Sequence, residues 1–370
     1  MKPFVNQDFP TVGVEQEYHL IDPQSGDTRP CVDAVLGAVD DDLRQRVSYE
    51  LYTTVLESQS QVCRTIDELA ADVADTRRRL ARACEKVGSR LAAAGSHPFA
   101  DWRNMPIVNS AHYKWVCEQC QYIARRLLSF GLHVHVGMRS VEHAMYVMNE
   151  MRRWLYPLAA LAANSPYYEG ALTGLQSTRL HLFGAMPRSH MPPYFETFDA
   201  LERFYEKLAA AGDVTAPGDL WWMIRPQPPL GTVEIRALDL PTDSRRLCAL
   251  AAVCQAAMDV YQDRFEAGAE PSALNDAYLE QNRFQAMRFA LDGKLIEPES
   301  GEVVSTRRYI ERLFEMIETK CEQLGSTEYL ATARRIMKEG PESQWQVRRC
   351  EELGGYLRAL ELDIAARTVA

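Results

Sequence analysis

Apolar and polar residues alternate most sharply in three short stretches of the chain. In 130–138, FGLHVHVGM, Phe130, Leu132, Val134, Val136 and Met138 share one parity, and Gly131, His133, His135 and Gly137 the other. Residues two apart on a strand share a face. One face is therefore core, and the other carries two imidazoles framed by residues without side chains, where a metal ion or phosphate could approach the backbone closely. In 11–21, TVGVEQEYHLI, Val12, Val14, Tyr18 and Leu20 make an apolar face interrupted by Gln16, with Glu15, Glu17 and His19 opposite. In 231–240, Val233, Ile235 and Ala237 alternate with Thr232, Glu234 and Arg236.

The remaining pattern is mostly helical. Residues 31–46 predict a helix and 49–62 an extended piece containing Glu57, with Glu50 seven positions earlier. A helix is expected from Thr65 to about Ala93, with Thr65 and Glu68 spaced as a capping box. Further helices are predicted over 111–128, Val141–Ala163 and Phe198–Ala211, with a loop-rich stretch at 166–195. Two extended runs, 219–226 and 231–240, flank the PQPPLG turn, which is short enough to join antiparallel strands. After Asp243 the pattern is helical apart from a loop near 293–304. No βαβ unit repeats, so the fold class is α+β: an antiparallel sheet with one face covered by helices. One catalytic domain is expected over 1–370, with a sheet-bearing core at about 10–245 and a mainly helical part at about 246–370.

Composition narrows the functions. A net charge of −10 argues against a general nucleic-acid surface, which needs a basic face. No apolar run approaches the ~20 residues of a membrane helix, and MKPFVNQDFP has no apolar core of a secretory signal. Nine cysteines without a framework fit a reducing cytoplasm. Of 41 basic residues only seven are lysines, and arginine is the side chain that grips carboxylate and phosphate bidentately.

A wet sheet face favours Lys, Thr, Ser and Gln. Glu-x-Glu, His-x-His and Glu-x-Arg together are different. Glu15 and Glu17 stand about 6.5–7 Å apart at strand spacing, so each could hold one of two neighbouring divalent ions, and carboxylate oxygen suits Mg²⁺ or Mn²⁺. Arg236 shares a face with Glu234, and Arg225 lies across the turn. Acids, divalent ions and arginines on one floor can hold a nucleoside triphosphate and stabilise phosphoryl transfer. Neither GxxxxGK[ST] nor GxGxxG after a strand is present.

Six segments, GVEQEYHLIDPQSGD, AAGSHPFADW, FGLHVHVGM, NSPYYEG, WMIRPQPPLGTVEIRALD and NRFQAMRFALDG, resemble in order the type 2 glutamate–cysteine ligases, or carboxylate–amine ligases. The resemblance covers roughly residues 10–345. It implies a glutamine synthetase-like sheet curved into a funnel, with the site on its inner face and helices outside. It also implies ATP-dependent chemistry: a carboxylate becomes an acyl phosphate, and an amine displaces phosphate. The implied pair is the γ-carboxylate of L-glutamate and the amine of L-cysteine. Carried over, Glu15, Glu17, Glu57, His133 and Glu234 resemble metal ligands, and His135 a group near the phosphates of ATP. Arg236 resembles a catalytic group that meets the transferred phosphate. Arg225 sits where the family keeps an arginine and is expected to be catalytic with Arg236, and Arg179 is assigned to the substrate carboxylate. Gln16 replaces the usual Glu but faces away from the floor. LHLFGAMPRSHMPPYF departs from the family in detail and is expected to touch the amine. Small-molecule substrates are the expected partners, without nucleic acid or membrane, and a homodimer is allowed.

Plainer readings stand beside these. His19 is left between structure and site, and His97 is expected to fix the GSHP turn. Cys117 and Cys120 read as buried thiols, since no second pair completes a zinc site. Arg77, Arg78 and Arg79 read as a solvated helix face. Asn282 and Arg288 match the last family motif, or serve as a cap and an ion pair. A ligase of the same mechanism could take a different amine or carboxylate substrate, a metallohydrolase would use the same acids and histidines to activate water without ATP, and a sensor would bind ATP without turnover.

Overall fold

The computed structural model describes residues 2–212 and 214–370. Among them seven strands form one antiparallel sheet: β1 (Val12–Ile21), β2 (Val47–Tyr49), β3 (Val55–Gln59), β4 (Arg90–Ala92), β5 (Gly131–Gly137), β6 (Ile224–Gln227) and β7 (Thr232–Asp239). The order is β2-β3-β1-β5-β7-β6, with β4 paired to the end of β1, so the sheet is open. The β6–β7 turn closes through Pro228–Leu230 and Gly231, whose φ of +67° suits glycine.

The apolar parity of each long strand faces helices. Val12, Val14, Leu132, Val134, Val136, Val233 and Ile235 join one core that runs on through helix Ser244–Glu266 to Met337. Helix Ser244–Glu266 is buried along most of its length and packs against helices Ile66–Lys86, Val141–Met151 and Thr306–Gln323. No described helix is long and apolar enough to cross a membrane.

Several elements differ from the sequence pattern for local reasons. The expected helix 31–46 is two, Val32–Ala38 and Asp41–Arg44, broken where Val39 turns extended. The helix from Thr65 carries the expected capping box but stops at Lys86; Gly88 follows at φ +70°, and Arg90–Ala92 then pairs with β1. Residues 49–62 are not one extended piece: β2 ends at Tyr49, a connection follows, and β3 occupies Val55–Gln59. The 141–163 helix is interrupted at Arg152–Trp154, and Pro157 falls in the first turn of Leu155–Ala162, where no backbone donor is needed. The loop-rich 166–195 contains a ribbon, Tyr167–Tyr168 with Ala171–Leu172, and helix Thr178–Gly184. The 293–304 loop holds a second ribbon, Lys294–Ile296 with Val303–Ser305.

Arg77 corrects the expectation of a solvated face. It is only 2 % exposed and donates from Nε to Gln16 Oε1 at 3.0 Å and to the carbonyls of Pro241, Thr242 and Thr368 at 2.9, 2.5 and 3.3 Å. It therefore ties the back of β1 to the chain after β7 and to the C-terminal helix Leu357–Thr368. Arg78 is solvated, while Arg79 ion-pairs with Asp40, Asp42 and Asp75. Cys117 and Cys120 are buried and unpaired, as all nine cysteines are unpaired.

Candidate active site

Antiparallel register sets the polar parities of neighbouring strands side by side. Glu57 of β3 stands opposite Glu17 of β1, and Glu15 of β1 opposite His133 of β5. His135 of β5 stands opposite Glu234 of β7, and Glu234 opposite Arg225 of β6. The row Glu57, Glu17, Glu15, His133, His135, Glu234, Arg225 thus crosses five strands on one face. Between Leu132 and Val134 the β5–β7 register shifts, so that Arg236 and Ala237 oppose His133 alone. Such a bulge bends a sheet and re-aims a side chain. Arg236 is turned back over Glu234, to which its Nη1 donates.

Three groups of ligand-type atoms converge on this floor: Glu15, Glu57 and His133; Glu15, His135 and Glu234; and Glu17, Glu50 and Glu57. In each group the ligand atoms lie within 4.8 Å of one another. His133 Nδ1 donates to Glu15 Oε2 at 2.9 Å, and His135 Nδ1 lies 3.1 Å from the Thr232 hydroxyl. The Nε2 atoms of both histidines are buried without a hydrogen-bond partner. Carboxylate oxygens with free imidazole nitrogens fit a hard divalent cation such as Mg²⁺ or Mn²⁺.

Electrostatics agrees with that fit. Burial pushes the Glu50 carboxyl up, and Glu17 beside it adds to the shift, to about 8. Burial and the charges of Glu15, Glu50 and Glu17 lift Glu57 well above the carboxylate range. Three acids crowd together there, and in the absence of a cation burial and mutual repulsion favour the protonated forms of Glu50 and Glu57. Burial would raise Glu15 as well, but His133, hydrogen-bonded to it, and His135, whose Nε2 lies 3.4 Å from its Oε1, outweigh burial and hold that carboxyl well down. Burial likewise opposes ionised Glu234, and the charges of Arg225 and Arg236 overcome it. Burial lowers His133, with Arg236 adding to it. Burial would lower His135, but the Glu15 carboxylate, 3.4 Å from its Nε2, and the charge of Glu234 outweigh it and raise its pKa.

The arginines differ in what they leave free. Arg225 is fully engaged: Nε donates to Glu234 Oε2 at 2.7 Å, and Nη1 to the Gly218 and Leu220 carbonyls at 2.8 and 2.9 Å. Arg236 keeps Nε unpartnered. Arg179, on helix Thr178–Gly184, donates from Nη2 to the Arg236 carbonyl at 3.1 Å and leaves Nη1 unpartnered and buried. It occupies the space that Gly131 leaves: a Cβ there would stand 2.7 Å from Arg179 Cζ. At Gly137 a Cβ would meet Thr11 Oγ1 at 2.6 Å. The framing glycines therefore admit the protein's own groups, Arg179 and Thr11, close to the strand.

The floor opens on two cavities. One is lined by Glu17, Glu50, Arg179 and Arg236, the other by Gly13, Glu15, Gln59, His135 and Thr232. Sequence reasoning did not place Glu50 in the site, because it sits in the β2–β3 connection, outside any alternation. Gln227 was missed as well; its Nε2 donates to Glu234 Oε2 at 2.6 Å, and its parity with Arg225 was the available signal.

Other candidates lie away from the floor. His19 is buried, shares a hydrogen bond of 2.7 Å between its Nε2 and Glu361 Oε1, and stacks on Phe130. His97 holds its turn as expected, through the Gly26 carbonyl at 2.9 Å and the amides of Phe99 and Ala100. Asn282 bonds both backbone groups of Ile296, pinning the second ribbon, and Arg288 lies over the Phe289 ring.

Comparison with known proteins agrees with this arrangement. The model of glutamate–cysteine ligase family 2 matches residues 11–362. A Sorangium cellulosum protein provisionally named glutamate–cysteine ligase 2 is 34% identical over 339 residues, covering 91% of this chain and 90% of the relative. A Thermobifida fusca protein of the same provisional name is 33% identical over 352 residues, covering 94% and 88%. Among solved structures, a Francisella tularensis glutamate–cysteine ligase in complex with AMP shares the fold. Its TM-score is 0.76 at 12% identity, with 100% of this chain and 89% of that one covered. A bifunctional glutathione synthetase from Pasteurella multocida gives 0.72 at 12%, covering 97% of this chain and 52% of that one.

Proposed function

The chain belongs to glutamate–cysteine ligase family 2, and from that premise we propose that it is an ATP-dependent ligase joining the γ-carboxylate of L-glutamate to an amine, L-cysteine by the name its relatives carry. The observation that carries this reading is the convergence of Glu15, Glu17, Glu57, His133, His135, Glu234 and Arg236 on one sheet face. A metallohydrolase would give the two buried, half-free guanidiniums no role.

Mg²⁺, or Mn²⁺ in its place, would be held by Glu15, Glu17, Glu50, Glu57, His133 and Glu234, and when bound supplies neutralisation of the triphosphate charge. The protein's own groups do the rest. The cavity at Glu15 and His135 receives the nucleotide, with His135 near its phosphates. The cavity at Glu17 receives the amino acid, whose α-carboxylate takes the free Nη1 of Arg179. The γ-carboxylate then faces Arg236, whose free Nε meets charge on the phosphoryl group as it moves. Arg225 fixes Glu234 and through it the angle of Arg236, so its role is positioning. The resulting γ-glutamyl phosphate is attacked by the amine, giving the amide, ADP and phosphate.

The residues act within a single catalytic domain, since the core is continuous from sheet to C-terminal helices. Nine unpaired thiols support a cytoplasmic location. The test is purified protein with ATP, Mg²⁺, L-glutamate and L-cysteine: release of ADP dependent on both amino acids is expected. ADP release that ignores both amino acids, or none at all, would defeat the reading.

A further inference from the structure

The cavity at Glu17 brings two sides of unlike chemistry together: the charged Glu17, Arg179 and Arg236, and an apolar cluster of Val116, Leu127, Met186 and Trp221, with Tyr113 and Ser129 also in the lining. Phe183 joins the two sides, its ring centroid 5.3 Å from Arg179 Cζ and 5.9 Å from Arg236 Cζ. Phe183 and Met186 come from the stretch whose sequence departs from the family pattern.

The cations available to a ligand can be counted among the described residues. Arg179 and Arg236 are the guanidiniums lining the cavity. His112 is exposed and stacks on Trp115 with centroids 6.2 Å apart. Arg188 is outside the lining, its Cζ 5.3 Å from the Trp221 ring centroid and its Nε donating to the Asp219 carbonyl at 3.2 Å. With Arg179 on the α-carboxylate of the donor and Arg236 on the phosphoryl group, no guanidinium or ammonium remains for the acceptor among the described lining residues, and the one lining imidazole is the exposed His112. A carboxylate on the acceptor would lose its water against Val116, Met186 and Trp221 without a partner. An apolar body would displace water from apolar surface there, which is favourable.

We infer that this cavity admits primary amines with an apolar body and no carboxylate, and that glutamyl transfer to such amines is a further activity of the protein. The inference rests on the proposed ligase reading. In the step, the amine nitrogen bonds to the acyl carbon of γ-glutamyl phosphate. The bond from that carbon to the bridging oxygen breaks, its electron pair leaving on phosphate. One amine proton is lost and is taken up by phosphate. The product is an N-substituted γ-glutamyl amide.

The experiment uses the full chain with ATP, Mg²⁺ and L-glutamate. Hydroxylamine is offered first, because the hydroxamate reports the acyl phosphate whatever the cavity selects; its absence removes the ligase reading and this inference with it. Phenethylamine, cysteamine and L-cysteine are then compared by kcat/KM for ADP release, with the product masses measured. Phenethylamine should at least equal L-cysteine, and cysteamine should exceed L-cysteine by about tenfold. If hydroxamate forms but either ratio to L-cysteine falls below one, the acceptor inference is overturned while the ligase reading stands.

Discussion

Arg225 Nε donates to Glu234 Oε2 at 2.7 Å across the β6–β7 pair, and the same carboxylate receives Arg236 and Gln227. Glu234 is wholly buried, so its charge survives only because two guanidiniums flank it. The carboxylate thereby sets the direction of Arg236, the one of the two arginines with a free donor.

Glu234→Gln keeps shape and an acceptor but removes the charge that both arginines face. ADP release should fall by about 10²-fold or more, with a stability loss of up to about 3 kcal/mol. Glu15→Gln, at a partly exposed position, should lose as much activity with little loss of stability. Thermal unfolding and turnover measured on both variants decide this; near-normal turnover in either would remove the metal and phosphate assignments.

Burial and mutual repulsion favour the protonated forms of Glu50 and Glu57 while no cation is present. Binding Mg²⁺ must therefore expel protons. Near pH 7, below the value of about 8 for Glu50, titration with Mg²⁺ should release protons, seen as a binding heat that changes with the ionisation enthalpy of the buffer. Apparent affinity should rise as pH climbs toward about 8. Glu50→Gln should reduce the proton release and weaken Mg²⁺ binding. A buffer-independent heat would show that these acids do not meet the cation.

Arg179 is held by one bond to a carbonyl and keeps one free donor. Arg179→Lys should raise KM for L-glutamate by about 10–100-fold, the loss of one charged hydrogen bond of about 1.5–3 kcal/mol, and change kcat far less. Unaltered KM would place the α-carboxylate elsewhere.

The floor was legible because a strand's polar parity is written directly in its sequence, and Glu15, Glu17, His133, His135, Glu234 and Arg236 all sit on strands. The register that makes Glu15 face His133 is not written there; it depends on chain turns and packing. Glu50 lies in a connection, where no periodicity marks a face. Arg77 was legible in principle. It falls four after Val73 and three before Leu80, both buried, and so shares their stripe on the helix. The run of three arginines hid it, because charge suggested solvent. His19 shares the parity of the site acids, but Glu361, 342 residues away, closes over it.

Arg77 carries a stability prediction of its own. Arg77→Met preserves length and apolar stem but leaves Gln16 and three backbone carbonyls short of a donor. The cost should be about 2–4 kcal/mol, read as a lower midpoint in urea unfolding. A wild-type midpoint would mean that water satisfies these groups.

The His19–Glu361 pair gives a signed pH dependence. Burial raises Glu361 from 4.5 to about 7 and lowers His19 from 6.5 to about 3. The folded protein holds the Glu361 proton more tightly than the unfolded chain, so this group makes stability fall as pH rises from about 4.5 to 7. His19 is charged in the unfolded chain but neutral when folded between about 3 and 6.5, so its contribution rises with pH over that window. Between about 4.5 and 6.5 the two slopes cancel, and the pair carries one proton in both states. Glu361→Gln removes the falling limb and leaves the rising one. Relative to wild type, the variant should therefore gain stability from pH 4.5 to 6.5, on the order of 2–3 kcal/mol in total at 1.36 kcal/mol per unit. Urea unfolding of both proteins at three pH values in that window measures it. Parallel curves would mean that Glu361 is not raised as its burial requires.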